Sequence, residues 1–334
     1  MSQDSADGRW LMVVLALLVV TWAVLGWWDL PKQARAGFET DGFGVVTRVD
    51  PGSPAEAAGL NVGDHITQMD GVAVENAAVI ARQTRKKAGE ILHLTINNDD
   101  LNYKLMRVRY AEMPPRELSR ERVSVMVGFC FLLFPLAAFF SKACEATRVL
   151  TVMGVGLSLA FLAGPNIEDF GTRALTTAVN SLFVFVGIAA MLQFLLVFPH
   201  RRPWLGRPYR KRLLFLPALL LWLLIAYRVL FTPTVSETLN TLTRTMSGIV
   251  IGVYLLIALF QLLRNFSRTD QAQRKALKIN GMLLGTVLGI VPVTIAQLVS
   301  TFSPHSGLPG QDFYFVTLAL IPMTWARSAS RSPD

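Results

Sequence analysis

The chain contains few of the residues on which metal and redox chemistry depend. Of its 334 residues, 4 are histidines and 2 are cysteines. The histidines lie in HITQM, HLTIN, HRRPW and HSGLP, so no HExxH pair brings two imidazoles to one helix face for zinc. A rhomboid-type GxSG serine, a Ser/Lys pair at span depth and paired intramembrane aspartates are absent as well. We therefore predict that the chain is not an enzyme and has no catalytic residue, metal site or cofactor.

Charged residues are also scarce, at 16% of the chain, whereas hydrophobic residues make up 52%. This balance is too apolar for an ordinary soluble protein and favours a membrane protein. Apolar runs of roughly 17–25 residues fit the hydrocarbon core of a bilayer. The first run is followed by WWDLPK and not by a small-residue cleavage site, so we expect an uncleaved anchor. Eight runs are predicted as spans, at about 9–28, 123–141, 148–164, 176–198, 213–231, 246–263, 279–302 and 313–326.

Positive charge is concentrated in two short loops between predicted spans, and the net charge of the chain is +9. An excess of Lys and Arg in short loops marks the cytoplasmic side of a membrane. We therefore expect the tails 1–8 and 327–334 and the 142–147 turn in the cytoplasm, and residues 29–122 outside. Membrane lipid is an expected partner and nucleic acid is not. The basic residues of the two loops include Arg201, Arg202, Arg210, Lys211, Arg212, Arg274 and Lys275.

The segment between the first two predicted spans is rich in turn glycines and polar residues. Residues 43–49 predict a strand, 54–58 a helical turn, 65–69 a second strand and 75–88 a helix. The runs EILHLTIN and LNYKLMRVRY alternate on either side of an NNDD turn, which predicts a β-hairpin. Residues 36–112 are therefore expected to form a small, partly open α+β barrel.

The motif GFGVVTRVDPGSPAEAAGLNVGDHITQMDG combines a glycine-containing loop, a strand, SPAxxAGL, GDxI and a closing DG turn. It resembles the core of a bacterial PDZ domain. The resemblance implies a groove between strand 43–49 and helix 75–88, where an extended peptide adds as a strand and loop N–H groups hold its terminal carboxylate. A plain tight turn is the alternative for the two glycines at 42 and 44, as is core packing for the isoleucine at 80. The predicted groove residues are Gly42, Phe43, Gly44, Val45, Ala77, Ile80 and Thr84.

Two stretches of the membrane part carry a second resemblance. FLLVFPHRRPW at 194–204 and RTDQAQRKALKINGMLLG at 268–285 are similar to segments of multi-span sensor regions in bacterial signalling proteins. With the anchor and the external PDZ-like domain, the chain resembles the sensor region of bacterial peptide quorum-sensing histidine kinases. Its last residues, ALIPMTWARSASRSPD, contain no phospho-acceptor helix and no ATP lid. The expectation is thus a sensor without the kinase domain.

The expected fold is a mostly α transmembrane bundle of about eight helices with one extracytoplasmic α+β PDZ-like domain. The bundle comprises the anchor at 9–28 and a seven-span module at 123–326. The expected function is that of a signalling or adaptor protein of the bacterial inner membrane, whose PDZ-like domain binds peptide or protein C-termini and which relays to a separate cytoplasmic partner. A structural or assembly factor of a membrane complex is the alternative. A transporter is disfavoured because, apart from Arg228, the spans lack the ionisable relay residues common in ion-coupled carriers.

Overall fold

The computed structural model describes residues 3–40, 44–74, 86–97, 103–200, 202–231, 237–302 and 311–332. The chain has two parts, which we name the sheet domain (34–112) and the helix bundle (3–29 and 115–332). All the described strands lie in the sheet domain, and the described residues of the bundle are mostly helical.

The sheet domain contains eight described strands, all paired antiparallel. A four-stranded sheet has the order β5 (Val72–Ala73), β4 (His65–Met69), β6 (Ile91–Asn97) and β7 (Tyr103–Arg109). Two further pairs are β1 (Ala34–Arg35) with β8 (Ala111–Glu112), and β2 (Phe38–Thr40) with β3 (Val46–Val49). A bridge between Val45 and His65 joins the β2–β3 pair to the larger sheet.

The core of the sheet domain follows from the alternation of its hairpin. Leu92, Leu94 and Ile96 of β6 are buried, while the residues between them are more exposed. Opposite them, Val108 and Met106 of β7 are buried and lie in register with Leu92 and Leu94. Each such side chain contributes roughly 1.5–3 kcal/mol through burial. The hairpin that the alternation predicts is confirmed.

A short helix, α2 (Pro54–Ala57), begins with a side-chain cap. The Ser53 hydroxyl accepts a hydrogen bond from the Glu56 N–H at 3.2 Å, and Pro54 occupies a first-turn position where no N–H is needed. The helix is followed by Gly59 in a left-handed conformation, with φ +87°. The helical turn predicted at 54–58 is therefore confirmed, whereas the helix predicted at 75–88 lies almost entirely outside the described residues.

Among its described residues, the helix bundle contains six helices that are long and apolar enough to cross a membrane, which indicates a multi-pass membrane protein. The candidate spans within them are Trp10–Lys32, Pro115–Ser141, Phe170–Val197, Tyr209–Leu230, Thr241–Arg268 and Ile279–Ala296. The bundle helices are α1 (Gln3–Asp29), α3 (Pro115–Ser141), α4 (Glu145–Ser158), α5 (Phe170–Val197), α6 (Pro208–Phe231), α7 (Glu237–Arg268), α8 (Gln271–Ala276), α9 (Ile279–Phe302) and α10 (Leu320–Ala329). Short 3₁₀ segments occur at Leu30–Lys32, Pro203–Gly206 and Gln311–Ala319.

The predicted count of eight spans is not confirmed. The run at 148–164 is helical only as far as Ser158, and the run at 313–326 consists of a 3₁₀ segment followed by the 10-residue α10. After α4 the backbone is non-helical, and Ser124 of α3 donates a hydrogen bond to the Phe161 carbonyl at 2.9 Å. Backbone of this kind is tolerated at membrane depth where protein covers it and satisfies its polar groups.

The sheet domain contacts one end of the bundle, and the two basic loops lie at the other end. At one end, the Asp29 carboxylate accepts the Asn166 N–H at 3.3 Å, and Lys87 of the sheet domain lies 2.8 Å from Glu168. At the other end, Lys211 pairs with Glu145. Helix α5 joins the two ends and, with 28 residues, is about 42 Å long. The sheet domain thus lies at the end of the bundle opposite the two basic loops.

Candidate functional site

Of the predicted groove residues, Gly44 and Val45 fall in the described part of the sheet domain. Both belong to a stretch with neighbours on two sides, because Gly44 O accepts the Ile66 N–H at 2.9 Å and Val46 bonds to Gly63 and Asp64 at 2.8 Å. On the opposite side, β3 pairs with β2. The open strand edge that was expected at 43–49 is therefore already occupied at 44–46. The predicted residues Gly42, Phe43, Ala77, Ile80 and Thr84 lie outside the described residues.

Gly44 also has a role in strand packing that was not predicted from the sequence. Its φ is +87°, and a Cβ at this position would lie 2.3 Å from the Ile66 carbonyl oxygen. The backbone of β4 can approach so closely only because residue 44 has no side chain. The glycine is thus required by the pairing of this stretch with β4.

Strand β2 has an open edge, as do the outer strands β5 and β7 of the four-stranded sheet. Among the described strands it has a neighbour on the β3 side alone. Gly37 O accepts the Asp50 N–H at 2.9 Å and Glu39 lies opposite Arg48, so both residues face β3. Since backbone groups alternate in direction along a strand, Phe38 directs its N–H and C=O to the open side. An extended chain can add there by main-chain pairing.

The turn before β2 is held firmly by α2. Ala36 O accepts the Ala55 N–H at 3.0 Å, and Gly37 has φ +81°. A Cβ on Gly37 would lie 2.2 Å from the Ser53 Cβ, so this glycine is needed for the close approach. Neither β2 nor this turn is among the elements predicted from the sequence, although the Gly37-Phe38 pair before a short strand was a signal that could have located them.

A cavity of about 950 Å³ lies along β2, between the sheet domain and the helix bundle. The wall from the sheet domain is formed by residues 33–39 and by the more distant Arg48, Asp50, Met69, Lys86, Leu92 and Tyr110. The wall from the bundle is formed by Glu117, Arg120, Glu121, Asn166, Phe170, Arg173, Ala174, Thr177 and Val229. Residues of β2 and of the membrane part therefore line the same cavity.

Ion pairs balance most of the charge on the sheet-domain wall. Arg48 lies 2.7 Å from Asp50, and Arg35 reaches Glu117 of the bundle at 3.6 Å. Both arginines are well exposed, so each pair contributes at most about 1 kcal/mol. The pairs nevertheless fix the positions of the two guanidinium groups beside β2.

A second charge cluster lies beside the cavity, around Asp70. Burial raises the pKa of the Asp70 carboxyl, but the His93 N–H and the Lys86 ammonium, each 2.9 Å away, lower it by more, so the pKa lies below its usual value. Burial and the Asp70 charge together raise the pKa of Tyr110, which lines the cavity. Lys86 is thus held by an ionised carboxylate at neutral pH.

The predicted basic loops are brought together at the far end of the bundle, where several of their cations serve the fold. Arg202 donates to the Asn265 side chain at 3.0 Å, and Arg274 donates to the Thr269 carbonyl at 2.7 Å. Burial, followed by repulsion from Arg264 and Arg268, lowers the pKa of Arg202.

The other cations of this end differ in exposure. Lys211 pairs with Glu145, and the Arg210 Nε donates to the Tyr209 hydroxyl at 3.2 Å. Arg212 and Lys275 are exposed, whereas Arg201 lies outside the described residues. The exposed cations are the ones that a partner or lipid can reach.

Comparison with known proteins bears on the sheet domain. Residues 29–97 match the PDZ domain family, a stretch that begins just before β1 and ends with β6. Neither the curated proteins nor the solved structures contain a match to the chain. In the structure, β7 and β8 complete the same domain as far as Glu112. The chain therefore contains a PDZ domain, joined to a bundle with six candidate membrane spans.

Proposed function

We propose that this is an integral membrane signalling or adaptor protein whose PDZ domain binds a peptide or a protein C-terminus and relays binding to a cytoplasmic partner. The observation that carries the proposal is the open edge of β2 beside a large cavity. PDZ domains bind such ligands by adding them to a sheet edge as an extra strand. The role is therefore one of recognition and not of catalysis.

The geometry supports a specific binding arrangement. The ligand backbone pairs with the outward N–H and C=O of Phe38, and its terminal carboxylate lies at the turn formed by Ala36 and Gly37. Backbone N–H groups in a tight turn attract an anion because their dipoles converge. The close contacts of Gly37 with Ser53 hold this turn in place before any ligand arrives. The site is thus shifted by one strand from the groove predicted at 43–49.

The proposed location is the bacterial inner membrane, with the PDZ domain outside and both termini in the cytoplasm. Lys and Arg in short loops favour the cytoplasmic side. The loops at 199–212 and 264–278 meet at the end of the bundle that lies away from the PDZ domain, which is consistent with this orientation. Exposed cations such as Arg212 and Lys275 are available there for a cytoplasmic partner.

A peptide-display screen on the full chain in lipid nanodiscs tests the binding role. We expect the screen to select peptides with a free C-terminal carboxylate, and amidation of that terminus to weaken binding about tenfold or more, since a charged hydrogen-bond acceptor is lost. Failure to select any such peptide, or equal affinity for the amidated form, would show that the PDZ domain has another role.

A further inference from the structure

A second cavity, of about 590 Å³, lies within the helix bundle. We propose that it binds a membrane phospholipid through one acyl chain, with the polar end of the lipid on the PDZ side. The volume is within the range of about 300–1,000 Å³ that is usual for ligand cavities. Its walls come from α1, the stretch after α4, α5, α6 and α7, and include Trp22, Ala163, Ser181, Ile225 and Ile251. The cavity thus has walls on several sides, unlike a single exposed helix face.

The wall that α5 contributes changes from polar to apolar along the helix. From the PDZ end inward, this wall includes Arg173, Thr177, Asn180, Ser181, Val184 and Phe185. Residues three and four apart share one face of a helix, so these side chains form a continuous strip. Its charged and polar members come first and its apolar members last. Such a gradient matches an amphiphile whose chain runs from the PDZ end into the bundle.

The length of this strip fits one leaflet of a bilayer. From Arg173 to Phe185 the helix extends about 18 Å. A bilayer with its headgroups is about 40–45 Å thick, so a lipid occupies roughly 20 Å from headgroup to midplane. On the opposite wall, Ile225 of α6 and Ile251 of α7 add apolar surface. Since α1, α5, α6 and α7 contain candidate spans, phospholipids surround this part of the bundle and are its nearest amphiphiles.

Asn180 supplies a polar group partway along the strip. Its side chain is half buried, and the described residues offer it no hydrogen-bond partner. A polar group without a partner is costly at membrane depth. The carbonyl oxygen of a lipid ester can accept a hydrogen bond from the amide NH₂ of asparagine. The ester of the bound chain is therefore placed at Asn180, with the apolar part of the chain running on towards Phe185.

The PDZ end of the cavity is lined by charges of both signs. Arg35, Glu121 and Arg173 line this cavity and the one beside β2, so the two cavities meet there. Arg35 lies 3.6 Å from Glu117 as well. A wall with both signs of charge gives no strong preference for a headgroup of one sign. Recognition is therefore by the acyl chain and its ester, and not by the net charge of the lipid.

Photo-cross-linking of the full chain in nanodiscs provides the first arm of the test. The probe is a phosphatidylcholine with a diazirine in the middle of one acyl chain, diluted into unlabelled phosphatidylcholine. We expect label on Ile225 and Ile251 in the cavity, and also on Leu256 of α7, which is 69% exposed and does not line it. Ser181→Trp is expected to reduce the label on the two isoleucines roughly tenfold, because the larger side chain fills the cavity, and to leave Leu256 unchanged.

The matched control for Ser181→Trp is Val179→Trp. Val179 is an exposed residue of the same helix and does not line the cavity. We expect this variant to be labelled like the wild type at all three positions. Undiminished label on Ile225 and Ile251 in Ser181→Trp would overturn the lipid site.

A second arm needs no variant, because only the position of the diazirine changes. With the diazirine next to the ester we expect label near Asn180, and with the diazirine at the chain end we expect it at Phe185 and Ile251. Label confined to exposed positions such as Leu256, or the reverse order along α5, would overturn the site or its orientation. None of these results depends on peptide binding at β2.

Discussion

Among single residues, Gly44 and Gly59 share a backbone conformation and differ in their surroundings. Both have φ +87°, which costs an alanine about 1–2 kcal/mol in either place. A Cβ on Gly59 meets nothing within 4 Å, whereas a Cβ on Gly44 meets the Ile66 carbonyl oxygen at 2.3 Å. We expect Gly44→Ala to destabilise the PDZ domain clearly more than Gly59→Ala. Hydrogen exchange of the β4 amides measures the difference, and equal protection in the two variants would speak against the close approach.

The carboxylate of Asp70 makes a pH-dependent contribution to stability. Its pKa in the folded chain is below the ordinary value of 3.8, so the stabilisation is fully present above pH 3.8 and is lost as the pH falls through the folded pKa. We expect Asp70→Asn to destabilise the domain by about 1–2 kcal/mol at pH 7 and to match the wild type in strong acid. Thermal unfolding at the two pH values measures this.

A control for Asp70 is Glu112, an exposed carboxylate of β8. We expect Glu112→Gln to have the same unfolding temperature as the wild type at both pH values. A destabilisation by Asp70→Asn that persists unchanged in strong acid would mean that the charge of Asp70 is not what stabilises the fold.

At the scale of elements, the non-helical stretch after α4 depends on a glycine in α1. A Cβ on Gly26 would lie 1.9 Å from the Ala163 carbonyl oxygen, so α1 must move if this position carries a side chain. We expect Gly26→Ala to lower the unfolding temperature of the protein in detergent. Gly252→Ala in α7 is the matched control, because a Cβ there meets nothing within 4 Å and alanine favours a helix by about 1 kcal/mol. Equal unfolding temperatures for the two variants would exclude this packing of α1.

The elements that could be predicted from the sequence are those with a strong local pattern. The β6–β7 hairpin alternates apolar and polar residues, and the helical turn at 54–58 has both a serine cap and a proline. Strand β2 has only three residues, FET, which is too short for an alternation to show. The run at 148–164 is apolar throughout, and hydropathy alone does not show that part of it is non-helical and covered by α1 and α3.

The candidate site depended on contacts that no local pattern contains. The turn at Gly37 faces Ser53, and the cavity wall at Arg173 comes from a helix more than a hundred residues further along the chain. The glycine motif at 42–44 was predicted to hold the ligand, yet Gly44 is used in pairing with β4. Tertiary pairing decides which strand of a sheet is left at its edge.

For the whole molecule, the proposed orientation predicts which surface an impermeant reagent reaches in intact cells. In a background without Cys130 and Cys144, we expect an impermeant maleimide to label Val62→Cys, whose side chain is 64% exposed in the PDZ domain. We expect it to label Lys275→Cys, at the basic end, only after the cells are broken. The reverse pattern would place the PDZ domain in the cytoplasm.

The most direct measurement is hydrogen exchange of the full chain in nanodiscs, with and without a selected free-carboxylate peptide. A ligand that adds as a strand must protect the outward amide of β2, so we predict slower exchange at residues 36–40 and little change at 44–49, where the backbone is already paired. Protection at 44–49 with none at 36–40 would contradict a peptide site on β2.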